Sequence, residues 1–239
     1  MLLEVCVDNH ESLLTAVQNG ADRIELCASL REGGLTPPYS FIEAALKLPI
    51  PIFVMIRPRG CDFLYTSAEI EMMHRDIYHA KQLGAPGVVF GVLTEEGEVD
   101  ATAMKSLIRA ASGMAITCHR AVDQVREVFG AIDTLAGLGV HRILSSGQAQ
   151  TVSEGVETLR QMVAHARGRV KIMAAGVRPH NVREIIEQTG VDEVHSSASV
   201  WRPSAMKFVH LNAKMGQGDD FSLKVTDGEM VQEIRANFP

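Results

Sequence analysis

Apolar and polar positions along the chain follow two alternating periods. Short runs rich in Val, Ile and Leu occupy residues 2–7, 23–27, 52–57, 87–92, 115–119, 142–146, 170–174 and 193–197. Each reads as a strand, because a short β-branched run between turn signals suits a pleated, buried segment. Between neighbouring runs the apolar residues recur every three to four positions, the helical period, and a last such stretch follows Asp227. Eight strands alternating with eight helices predict parallel βαβ units. At about 30 residues per unit the count matches a closed (β/α)8 TIM barrel. An open doubly wound sheet is the alternative, but no Gly-x-Gly-x-x-Gly follows the first strand.

An internal repeat favours the closed form. Gly, then Ala or Val, then two residues and a β-branched residue, occurs at Gly20–Ile24, Gly84–Val88, Gly139–Ile143 and Gly190–Val194. Successive copies lie two βα units apart and mark the even-numbered strands. The glycine suits the position just past a helix, where φ is positive. Helix starts are signalled by Thr36-Pro37 and by three capping-box patterns: Thr66 with Glu69, Thr151 with Glu154, and Thr226 with Glu229.

Aligning the copies sets the side-chain register, since alternate residues of a strand face opposite ways. Ile24, Val88, Ile143 and Val194 form an outward row, with Leu3, Val5, Val7, Val54 and Ile56 beside them. Glu4, Cys6, Glu25, Cys27, Met55, Arg57, Thr117, His119, Leu144, Ser146, His195 and Ser197 then face the lumen, and Cys118 faces the helices. That interior is far more polar than the branched apolar filling usual in such barrels. Buried charge needs pairing, so the row predicts either internal ion pairs, such as Glu25 with Arg57, or a functional site at the C-terminal strand ends.

No linker interrupts the pattern, and residues 1–239 read as one domain. The exception is the aperiodic segment 199–226, which carries Trp201, Met206, Phe208 and Met215. It is long enough to cover the barrel mouth or a partner subunit, and it predicts a homo-oligomer, a dimer in the simplest case.

Composition narrows the function. Twenty-three basic and 29 acidic residues leave a net charge of −6, which argues against nucleic acid or an anionic membrane as partner. The longest apolar run, residues 48–56, is too short to cross a bilayer, and the first residues lack the basic start of a signal peptide. A cytoplasmic chain is expected, with its four cysteines as thiols. None forms a Cys-x-x-Cys pair.

Two kinds of chemistry fit the lumen. Cys6 and Cys27 sit on adjacent inward-facing strands near the same end, and strands run about 4.8 Å apart. Two sulfurs there could share a soft ion such as Cu(I), or could pack as ordinary small apolar side chains. Cys61 is a candidate third ligand, and Cys118 reads as core. Alternatively, Glu25, Arg57, His119 and His195 supply a carboxylate, a fixed cation and two acid–base groups for an enzyme. Gly176 and Arg178 after strand seven, and Ser196 and Ser197 after strand eight, stand where barrels often hold phosphate. The expected partner is thus a metal ion or a small anionic molecule.

Several strings carry a family resemblance: Glu4-Val5-Cys6-Val7, Gly20-Ala21-Asp22-Arg23-Ile24-Glu25-Leu26-Cys27, Glu32-Gly33-Gly34-Leu35-Thr36-Pro37, Met55-Ile56-Arg57-Pro58-Arg59-Gly60, Asp62-Phe63-Leu64-Tyr65, His119-Arg120-Ala121, Arg142-Ile143-Leu144, Ser146-Gly147 and His195-Ser196-Ser197-Ala198. On these residues the chain resembles the CutC family, known by a copper-homeostasis name. The resemblance implies a TIM barrel and a role with copper, with Cys6 and Cys27 at family cysteine positions, and no settled reaction. The chain departs from the family pattern at Cys61, where a second glycine is usual, at Cys118 and Val122, where Phe is usual, and at Ala174-Ala175-Gly176, which is poorer in glycine.

Overall fold

β-Branched residues at alternate positions let each short run bury one face against helices and the other in the lumen. In the computed structural model, which describes residues 1–210, 212–213, 215 and 219–239, eight such strands close a parallel barrel in chain order. They are β1 (Leu2–Val7), β2 (Arg23–Leu26), β3 (Ile52–Met55), β4 (Gly87–Phe90), β5 (Ala115–Cys118), β6 (Arg142–Ser145), β7 (Lys171–Ala175) and β8 (Glu193–Ser196). The helices are α1 (His10–Gln18), α2 (Tyr39–Ala45), α3 (Ser67–Gln82), α4 (Ala101–Ala110), α5 (Val128–Gly137), α6 (Val156–Ala166), α7 (Val182–Thr189) and α8 (Gly228–Ala236). β1 closes the ring on β8, with Glu4 opposite His195, and pairs on its other side with β2, with Cys6 opposite Glu25.

The predicted register is the observed one. Leu3, Val5, Val7, Ile24, Val54, Ile56, Val88, Ile143 and Val194 join the large apolar layer between sheet and helices, as does Cys118. Among the described residues, two small apolar groups form inside the barrel, one of Cys27, Phe53, Met55 and Val89, the other of Leu144, Met173 and Ala175. All four repeat glycines take positive φ.

Three of the four helix-start signals act differently from expectation. Thr66 and Glu69 do form the reciprocal box at α3. Thr151 and Glu154 exchange the same bonds, but on the turn before α6. Thr36 accepts instead from the Arg57 amide at 2.9 Å, and Pro38 precedes α2 with no side-chain cap. Thr226 ends a strand, and Asp227 caps α8.

The long segment is a hairpin. β9 (Ser199–Pro203) pairs antiparallel with β10 (Ser222–Thr226). Residues 211, 214 and 216–218 of it lie outside the described residues. Trp201, Met206, Phe208 and Met215 are 60–94% exposed, and the Trp201 ring lies 5.2 Å from the Arg31 guanidinium of the turn after β2.

The barrel floor carries a network of buried charges around the Phe53 ring. Arg23 donates from Nε to Glu4 Oε2 and from Nη2 to Glu193 Oε2, both at 2.5 Å. Arg142 Nε and Lys171 Nζ add bonds to the Glu193 carboxylate, each at 3.1 Å. Both guanidinium groups rest on the Phe53 ring, 4.9 Å from its centroid. Phe53 fills the space where β4 has Gly87, and a Cβ there would stand 2.6 Å from the ring. Burial works against the Glu4 carboxylate, but Arg23 and His195 bring it down to about 2.

Removing one member should leave a buried charge uncompensated, which costs about 3–5 kcal/mol. Arg23→Met is therefore expected to lower the urea unfolding free energy by roughly that amount. A loss under about 1 kcal/mol would mean the floor charges are dispensable.

Candidate functional site

Above the floor, the next inward layer and the strand ends line a cavity of about 640 Å³ at the C-terminal mouth. Cys6, Glu25, Arg57, His119, His195 and Ser197 all reach it. Cys6, Glu25 and His195 lie within β1, β2 and β8, while Arg57, His119 and Ser197 stand one or two positions beyond β3, β5 and β8, where the ladder gives way to loops. The roof comes from the hairpin, through Leu223 and Lys224, and from the turn Leu30–Glu32.

One wall is a cluster of three groups. A Cys6 sulfur, a Glu25 oxygen and a His195 ring nitrogen lie within 4.8 Å of one another, all buried. His195 is set from below: Nδ1 lies 2.8 Å from Glu4 Oε1, so it donates there. Its Nε2 then faces Glu25 Oε2 at 3.8 Å. Burial disfavours the imidazolium, but the acidic groups of Cys6, Glu25 and Glu4 outweigh it and raise the His195 pKa well above its usual value. Glu25 is pushed up to about 7, first by burial, with Glu4 adding to it and His195 opposing. Cys27 donates to Glu25 Oε2 at 3.6 Å. It stands outside the three-residue group, and burial raises its thiol pKa far above normal.

The opposite wall is built differently. Arg57 does not pair with Glu25, contrary to the expected internal ion pair. Its Nη1 donates to the carbonyls of Glu32 and Gly34 at 2.6 and 3.0 Å, and its Nη2 to that of Cys61 at 2.8 Å. The cation thus ties two loops together. His119 packs 4.8 Å from the Phe63 ring, centroid to centroid. Its Nδ1 accepts the Ala121 amide at 3.2 Å, which leaves the proton of the neutral ring on Nε2. Burial, with Arg57 adding repulsion, lowers its pKa to about 3.

The remaining candidates are scattered. Cys61 is exposed on the cavity rim, and its sulfur is 3.9 Å from Asp62 Oδ2. Among the expected anion ligands only Ser197 lines the cavity, bonded to Ser199 at 2.8 Å. The Gly176 amide donates to the His195 carbonyl at 2.7 Å. The Ser196 hydroxyl donates to the Val177 carbonyl, also at 2.7 Å. Arg178 Nη1 reaches the Ser199 carbonyl and Met230. These three residues are used in holding β7, β8 and α8 together.

Sequence reasoning passed over the floor residues Arg23, Arg142 and Glu193, although the repeat contained them. They stand two residues before Glu25, Leu144 and His195, on the same face. Asp123 was also missed. Its carboxylate accepts from Ser145, Ser146, Gln148 and Arg120 and shapes the loop after β6; nothing local marks it.

A histidine with a folded pKa below its unfolded value resists protonation, so the unfolded chain takes up protons first as pH falls. His119 should therefore cost stability as pH drops from about 6.5 toward 3. Nitrogen-15 NMR is expected to show His119 as the neutral Nε2–H tautomer from pH 5 to 7. A ring titrating near 6.5 would contradict this environment.

Comparisons with known proteins agree with this architecture. Residues 1–200 match the model of the CutC family. A family protein CutC from Histophilus somni (strain 2336) is 46% identical over 242 residues, covering 100% of this chain and 99% of the relative. One from Vibrio vulnificus (strain CMCP6) is 48% identical over 230 residues, covering 94% and 92%. Among solved structures, CutC from Streptococcus agalactiae, named for copper homeostasis, superposes with TM-score 0.79 at 33% identity, over 82% of this chain and 98% of its own. An aldolase at 16% identity and TM-score 0.61, covering 82% and 89%, shares the fold alone. With a family match over most of its length and relatives close to half identical from end to end, the chain belongs to the CutC family.

Proposed function

We propose that the protein binds copper as Cu(I), with Cys6 as the anchoring thiolate, His195 Nε2 as the nitrogen donor and Cys27 as the neighbouring second thiol. One observation carries this reading: Cys6 and His195 converge with Glu25 in a buried group, and His195 is oriented by Glu4. A metal-bound histidine typically donates its other ring N–H to a carboxylate, which fixes the tautomer and aims the free nitrogen. Glu4 and His195 have that arrangement. Cu(I) prefers sulfur and imidazole to oxygen, so Glu25 serves the site as a charge neighbour rather than a principal donor. The protons on the cluster must leave as the ion enters, so affinity should rise with pH.

A thiolate–imidazole–carboxylate set also suits Zn²⁺, and metal analysis of anaerobically purified protein separates the two. Copper near one equivalent is expected; zinc at one equivalent without copper would overturn the assignment. In competition with a Cu(I) chelator, Cys6→Ser should weaken binding by about 100-fold or more, because a hydroxyl is a poor ligand for a soft ion. Cys27→Ser should have a smaller effect, and Cys118→Ser and Cys61→Ser little. Wild-type affinity in Cys6→Ser would refute the site.

We also infer that the exposed apolar side chains of the β9–β10 hairpin are covered by a second copy of the chain, since patches of this kind mark association surfaces. Light scattering at micromolar concentration should give twice the 26.0 kDa chain mass. A monomeric mass would exclude the contact.

A further inference from the structure

Arg57 is a buried cation without a counter-ion. It is 5% exposed, and among the described residues no carboxylate lies within 4.0 Å of its guanidinium. Main-chain carbonyls hold both Nη atoms, while Nε has no partner. One of those carbonyls belongs to Cys61, a non-glycine residue held at φ +70°. Strained backbone of this kind tends to persist where a site must be held in place.

Beside it, His119 is 4% exposed, and its Nε2 also lacks a partner. Both side chains rest on the Phe63 ring, Arg57 at 5.1 Å and His119 at 4.8 Å, and all three residues line the cavity. A third orphan, Glu25 Oε1, lines the same cavity. Of five such atoms among the described residues, three belong to residues lining this cavity, and a fourth, the Tyr65 hydroxyl, neighbours Arg57 outside it. Buried polar groups are almost always satisfied, and orphans gathered along one cavity are the groups a ligand seated there would engage.

We propose that Arg57 and His119 form a subsite for the anionic group of a small hydroxylated organic acid or phosphate ester, with Glu25 Oε1 accepting from its hydroxyl. Two N–H donors and an unpaired cation match one oxyanion, carboxylate and phosphate alike. The cavity volume falls in the range of small-molecule sites. Arg57 and His119 are not copper ligands in the reading above, and Glu25, which borders both sites, is only a charge neighbour in it, so titration of metal-free protein tests this inference separately.

The test is calorimetric titration of the full chain, freed of metal by a chelator, with glycerate, glycerol 3-phosphate and glycerol. Saturable binding of at least one anion and none of glycerol is expected. Glycerate alone marks a carboxylate site, and glycerol 3-phosphate alone a phosphate site. His119→Asn keeps an acceptor for the Ala121 amide but removes the Nε2 donor. It should bind the anion about tenfold more weakly, with its unfolding midpoint and Cu(I) affinity preserved. Arg57→Lys, which keeps the charge but loses the Nε–H, should also weaken it. Cys6→Ser should bind the anion as wild type does. The proposal fails if neither anion binds wild type more tightly than about 10 mM, if folded His119→Asn binds as wild type, or if Cys6→Ser abolishes anion binding.

Discussion

The Glu4 carboxylate joins the two halves of this structure. One oxygen takes Arg23 in the barrel floor, and the other takes His195 in the mouth. A carboxylate buried this completely is tolerable only with both oxygens satisfied by cationic donors. The floor network therefore does more than fill space. It holds Glu4 charged, Glu4 holds the His195 ring, and the ring's second nitrogen is left facing Cys6 and Glu25. A barrel packed with Leu and Val at this level would be as easily stabilised, but nothing in it could orient a histidine from below.

Parallel barrel geometry explains why these residues meet. Cys6 lies opposite Glu25 across one strand pair, and Glu4 opposite His195 across the other. Residues distant in the chain are thus brought together by register alone. Arg57 and His119 follow the ends of β3 and β5 and form the facing wall. The two walls differ in kind: acidic and thiol groups around an imidazolium on one side, a guanidinium held by main-chain carbonyls and a neutral imidazole on the other. That asymmetry separates a metal-like cluster from an anion-like subsite within one cavity.

Much of this was legible in the sequence, for a physical reason. Strand parity is a local rule, and the repeated Gly-Ala or Gly-Val step fixed the parity of four strands, so Glu25, Cys27, His195 and Ser197 were placed on the inner face correctly. The same parity reached Arg23, Arg142 and Glu193, but charge at the bottom of a barrel does not look functional until its partners are seen. What parity cannot show is where a side chain's bonds go. Arg57 was expected to meet Glu25 and instead holds loop carbonyls. The Gly176 amide and Ser196 hydroxyl were expected to hold an anion and are bonded within the strand ends. Asp123, which organises the loop after β6, had no periodicity to reveal it.

The dependence of the mouth on the floor can be measured through Glu4. In Glu4→Gln the side chain keeps its shape but loses the charge that sets His195. Removing the carboxylate behind a metal-bound histidine typically costs 10–100-fold in affinity. Cu(I) affinity of the folded variant, measured anaerobically against a competing chelator, should fall by about that factor. Unchanged affinity would contradict the claim that the buried floor orients the site.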